Sequence, residues 1–179
     1  EVQTGFGRTG KIFACELYDV VPDILTFGKA IAGGSPLAGF LASDKLRPFD
    51  PGEHAFTFAH FPVSMAAALA TLEVIKEDNL LERCRKTGEY ITSRLSEMQE
   101  KYSIIGDIRG PGLAIGIELV KDRGTKEPAV EEANKVLAEG LEKGVVFGVS
   151  HYGNLGHILK IKPPLVIADE DVEKVLEVF

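Results

Sequence analysis

The chain has 179 residues, 45% of them hydrophobic, enough to bury a core in one domain or in two small ones. Its 27 acidic against 20 basic side chains leave a formal charge of −7, which argues against nucleic acid or an anionic membrane as a partner, because both demand a basic face. No apolar run approaches the ~18 residues of a membrane span, and the charged start EVQTGFGR is unlike a signal peptide. Cys15 and Cys84 lie far apart without metal-type spacing, so free thiols in a reducing cytoplasm are expected.

Residues 1–61 are punctuated by glycine and proline, and the runs Ile24–Phe27 and Leu37–Ala42 predict buried strands between loops. Pro62 suits a first helical position, and the alanine-rich run after it sets Met65, Leu69, Leu72 and Ile75 on one face of a helix predicted to be buried. A second amphipathic stretch carries Leu81, Cys84, Ile91, Leu95 and Met98 on a packed face and charges on a wet one. From Ile104 the pattern becomes strand-like, with Leu113, Ile115 and Ile117 alternating with small residues, followed by the charged loop KDRGTKEP. A helix over Glu131–Lys143, strands over Gly144–Gly148 and Ile158–Ile161, and a terminal helix over Asp169–Phe179 with an acidic cap complete the pattern. The organisation predicted is a first module over 1–61, connecting helices over 62–100 and a small α+β domain over 101–179.

Chemistry concentrates in the first module. Gly5-Phe-Gly7-Arg-Thr-Gly10 satisfies the dinucleotide pattern G-x-G-x-x-G, and Lys29 could then meet the 2′-phosphate of NADP. Only four residues precede Gly5, too few for a full first strand, and Pro22 limits any helix that follows. The other reading makes Lys29 a nucleophile. It follows an apolar run, lies just before Gly33-Gly34, and could act as an amine if its surroundings suppress its charge; the plain alternative is a lysine whose stem lies along the surface.

The segments EVQTGFGRTGKIFA, PDILTFGKAIAGGSPLAG, FTFAHFPVSMAAALATLEVI, GDIRGPGLAIGIELVKDR and KIKPPLVI, in this order and across the whole chain, resemble the class III aminotransferases, the pyridoxal-phosphate family of ornithine and 4-aminobutyrate aminotransferases. IGDIRGPGLAIGIELVKDRGTKEPA looks especially like the dialkylglycine decarboxylase branch, and amino-acid racemases share the family. The resemblance implies an α/β fold-type I transferase, of which this chain is the C-terminal part: the end of the large cofactor-binding domain and a small α+β domain. It implies transfer of an amino group from an amino acid to a 2-oxo acid, with decarboxylation-coupled transfer or racemization as alternatives on the same cofactor, pyridoxal 5′-phosphate. A non-catalytic structural fragment is a third reading.

By the same resemblance, Lys29 forms the Schiff base with the cofactor and Gln3 lies near its phenolic oxygen. Thr57 gives its hydroxyl to the phosphate of a neighbouring subunit's cofactor, which implies a homodimer with shared sites, and Arg8 belongs to a loop bordering the site. Lys160 stands where most members carry an arginine that clamps the substrate carboxylate, a departure that leaves the substrate open. The family's aspartate for the pyridinium nitrogen falls immediately before Glu1, and its phosphate cup and stacking aromatic fall further upstream, so activity is expected only with that upstream half. His54, His60, His151 and His157 show no zinc-type grouping, no metal is expected, and the histidines read as structural or exposed.

Overall fold

The computed structural model describes residues 1–54, 57, 61–150 and 155–179, and it divides into two compact units, Glu1–Glu82 and Arg83–Phe179.

In the first unit, the N-terminal loop folds on itself: the Glu1 carboxylate accepts from the Thr4 hydroxyl and, at 2.8 Å, from the Cys15 amide. A single 3₁₀ turn, Ala14–Leu17, follows. Strands β1 (Ile24–Phe27) and β2 (Gly39–Ala42) pair antiparallel, with Phe27 opposite Gly39. Gly39 leaves room for the Phe27 ring, from which a Cβ there would lie 2.7 Å. The strands are not buried throughout as the apolar runs predict: Leu25 is buried, but Ile24 and Leu41, on opposite faces of the pair, are both exposed, because a two-stranded pair is not covered evenly along its length.

Helix α1 (Pro62–Glu77) begins at the proline as expected. Its buried stripe differs from the predicted one. Ser64, Ala68 and Ile75 are buried, whereas Met65, Leu69 and Leu72 are exposed. The apolar residues nearly encircle this helix, so periodicity does not choose a face; small side chains do, by letting the backbone come close to a neighbouring turn. That turn is a 3₁₀ segment, Lys29–Ala32, packed on α1 with Gly33 against Thr71.

Helix α2 (Leu80–Lys101) leads into the second unit, where Cys84, Gly88, Ile91 and Leu95 form its buried stripe. Arg123 closes the end of this helix, its guanidinium donating to the carbonyls of Gln99, Tyr102 and Ser103, with Tyr102 at 2.9 Å. Strands β3 (Ile105–Arg109), β4 (Ile115–Asp122), β5 (Glu127–Pro128), β6 (Gly148–Val149) and β7 (Ile158–Ile161) form one antiparallel sheet in the order β3-β4-β7-β6, with β5 beside β4. One face supplies the core: Ile115, Ile117, Leu119, Leu159 and Ile161 cluster with the α2 stripe, with Ala133 of α3 (Val130–Glu142) and with Val172 and Leu176 of α4 (Asp169–Val178).

Several boundaries shift for local reasons. The loop KDRGTKEP is a tight turn in which Asp122 accepts from the amides of Gly124 and Thr125, and its Glu127–Pro128 end rejoins the sheet as β5. The Thr125 hydrogen bonds hold the Asp122 carboxyl below its usual range, with the Gly124 amide contributing. The strand expected over Gly144–Gly148 starts only at Gly148, because residues 143–145 are occupied in closing α3: Gly144, in the left-handed region, donates to Leu141, and Val145 donates to Gly140. The cap of α4 is Ala168, which has no side-chain acceptor; Asp169, Glu170 and Asp171 lie in the first turn instead, where negative charge faces the positive end of the helix dipole. No helix among the described residues is long and apolar enough to cross a membrane.

Candidate active site

Lys29 comes two residues after β1 and opens the 3₁₀ turn Lys29–Ala32. Ile31 and Ala32 anchor that turn, 5% and 1% exposed. Lys29 itself has φ +50°, a left-handed backbone that a non-glycine residue adopts only when its surroundings over-determine it. Gly33 follows in the same region and reverses the chain. The side chain is exposed, which differs from the apolar enclosure that the preceding run suggests: apolar neighbours in sequence turn inward here while the lysine stands out.

The N-terminal loop is fastened to this segment. Phe6, buried, meets Phe27 edge to face at 5.8 Å and Phe13 at 5.4 Å. A Cβ on Gly28 would be 3.8 Å from a Val2 methyl. Val2, beside Gln3, and Gly28, beside Lys29, therefore lie close together, with Gln3 and Lys29 both exposed. Arg8 is half-buried in the same loop, and Thr57 is exposed in a turn. Phe56, Phe58, His60 and His151 lie outside the described residues. His54 stacks on Phe49 at 5.1 Å, and His157 is buried with its Nε2 3.4 Å from Glu118.

Residues 2–4, directly before the glycine pattern at 5–10, form a turn, only one 3₁₀ turn follows the pattern, and its loop hydrogen-bonds to itself, Phe6 N to Ile12 O and Gly10 N to Gly7 O. A dinucleotide fingerprint needs strand, glycine loop and helix together, so the NADP reading is discarded.

In the second unit Lys160 sits on β7, half-buried, opposite Gly116 on one side and Gly148 on the other. Its ammonium donates to the Val149 carbonyl at 3.4 Å. The sheet register adds three residues that reading the sequence alone missed. Arg109, opposite Gly116, ion-pairs with Asp107 at 2.7 Å and Glu118 at 2.5 Å. The signal available in sequence was the alternation of charges across the hairpin of β3 and β4, legible only once its register is known.

The family model for Aminotransferase class-III matches residues 1–179. The chain belongs to the class III aminotransferases. Among its relatives, the alanine/serine racemase of Pyrococcus horikoshii is 44% identical over the whole chain, which spans 37% of that protein, and the 5-aminovalerate aminotransferase of Pseudomonas putida is 43% identical, with 42% spanned. A solved aminotransferase of Bacillus anthracis superposes with a TM-score of 0.91 at 37% identity over 99% of this chain and 42% of its own. The chain thus spans about two fifths of the length of these class III proteins and corresponds to their C-terminal part. It has the α/β fold of pyridoxal-phosphate transaminases, and the family works with pyridoxal 5′-phosphate. The residues present fit that cofactor: Lys29 offers an exposed primary amine on an anchored, left-handed turn, with no ion pair among the described residues.

Proposed function

We propose that this chain supplies the lysine, and part of the substrate site, of an enzyme that moves an amino group from an amino acid to a 2-oxo acid. The observation that carries the reading is the Lys29 turn, packed on α1 and close to the N-terminal loop that holds Gln3. Pyridoxal 5′-phosphate, when bound, supplies the electron sink that stabilises negative charge at the substrate α-carbon. Lys29 would hold the cofactor through its amine and, once the substrate amine takes its place, would act as the acid–base group that moves the proton at the substrate α-carbon. Gln3 orients the phenolic oxygen, Arg8 borders the pocket, and Lys160 attracts the substrate carboxylate. Thr57 donates to a cofactor phosphate across a homodimer interface. In this reading residues 1–61 complete the cofactor-binding domain, 62–100 connect, and 101–179 form the small domain of a cytoplasmic enzyme.

Borohydride reduction of the full-length protein with pyridoxal phosphate is expected to fix the cofactor on Lys29 as a secondary amine, read by peptide mass mapping. A label on another lysine sinks the assignment.

The racemase relative at 44% identity favours a second reading, inversion at the α-carbon with the same lysine. With L-alanine as donor, amino transfer produces pyruvate beyond one equivalent per site only when a 2-oxo acid is supplied as acceptor. Accumulation of D-alanine without any acceptor would favour the racemase reading.

A further inference from the structure

The outward face of the second unit's sheet is a small checkerboard of charge. One transverse row reads Arg109, Gly116, Lys160, Gly148, and the next reads Asp107, Glu118, Ile158. Residues directly opposite share a face, as do residues two apart on a strand, so all seven project to the same side. Gly116 and Gly148 leave bare backbone on both sides of Lys160; a Cβ at Gly116 would meet nothing nearer than 3.8 Å.

Glu118 is the diagonal neighbour of both cations, Arg109 on β3 and Lys160 on β7. Diagonal positions lie ~7–8 Å apart, within reach of long side chains, so the register by itself permits either pairing. The structure takes one. A single guanidinium bridges both acids, with Nε on Asp107 and Nη2 on Glu118, and His157 contacts the other Glu118 oxygen. Lys160 is left with one main-chain carbonyl and no carboxylate among the described residues. A planar fork can occupy two carboxylates at once, whereas an ammonium is a point charge that takes whichever acid reaches it.

We infer that Arg109 is a positioning residue for Lys160: by bridging Asp107 and Glu118 it keeps the Glu118 carboxylate off the Lys160 ammonium, so that the lysine stays available to the carboxylate of an incoming amino acid. The inference rests on the reading of Lys160 as a substrate contact, and it adds why that cation is not neutralised from within.

The test uses the full-length holoenzyme with Arg109→Gln, Glu118→Gln, the double variant and Lys160→Ala. Trace acetylation of Lys160 by acetic anhydride, read by peptide mapping, reports its ion pairing without any turnover. Arg109→Gln is expected to slow acetylation of Lys160 about fivefold, the size of a partly exposed ion pair, and the double variant to restore it. The apparent KM for L-alanine rises by the same factor in Arg109→Gln with kcat held within twofold, and recovers in the double variant. Isopropylamine, in which a methyl replaces the carboxylate of alanine, shows no change. Glu118→Gln alone guards against misfolding as the cause, because it too removes the ion pair with Arg109 yet leaves Lys160 accessible. An unchanged acetylation rate in Arg109→Gln, or a slowing that the double variant does not reverse, overturns the inference. A normal L-alanine KM in Lys160→Ala, with the acetylation pattern as expected, removes the substrate reading of Lys160 instead.

Discussion

Replacing Lys29 by alanine in the full-length enzyme is expected to lower turnover by ~10²–10⁴-fold, the usual contribution of a positioned acid–base group. The substitution removes the one primary amine presented by the Lys29–Ala32 turn. The fold should survive it, since Lys29 is exposed and the turn is held by Ile31, Ala32 and Gly33 rather than by the lysine stem. Added methylamine should restore part of the rate, because a diffusing base can carry the proton that the missing side chain carried. Steady-state rates with and without methylamine, beside a thermal melt, check this. Full activity in the alanine variant would remove Lys29 from the chemistry.

A large effect on stability is expected at a residue with no side chain. Gly88 lies in the buried stripe of α2, and a Cβ on it would fall 2.2 Å from the carbonyl oxygen of Gly112, in the loop between β3 and β4. Both groups are backbone on packed elements, so helix or hairpin must move. Overpacking of this kind costs ~1–3 kcal/mol or more, against which alanine returns ~1 kcal/mol of helix propensity. A rigid backbone clash belongs at the upper end, and Gly88→Ala is expected to lower the melting temperature of the full-length protein by several degrees. Gly116→Ala is the internal control, because its Cβ would meet only ordinary contacts at 3.8 Å. Equal melting of the two variants would show that the helix is not seated on this loop as closely as the structure has it.

Where one periodicity was strong and one-sided, the elements were legible in the amino-acid order alone. Cys84, Ile91 and Leu95 are buried on α2 as their spacing predicts, and β7 spans Ile158–Ile161 as its apolar run predicts, because each faces a single core. Lys29 was legible as a candidate through its place between an apolar strand and a glycine pair, within a series of motifs running the length of the chain. Other features needed the third dimension. The face that α1 buries could not be read from a helix apolar nearly all round; the close approach of the Lys29 turn selects Ser64, Ala68 and Ile75 over the larger Met65 and Leu69. The exposure of β1 and β2 depends on which layers cover them, and strand propensity carries no such information. The pairing of Arg109 with Asp107 and Glu118 is a matter of register: charges distant in the chain become neighbours only when the sheet is aligned, and a shift of one residue would have turned every one of them into the core.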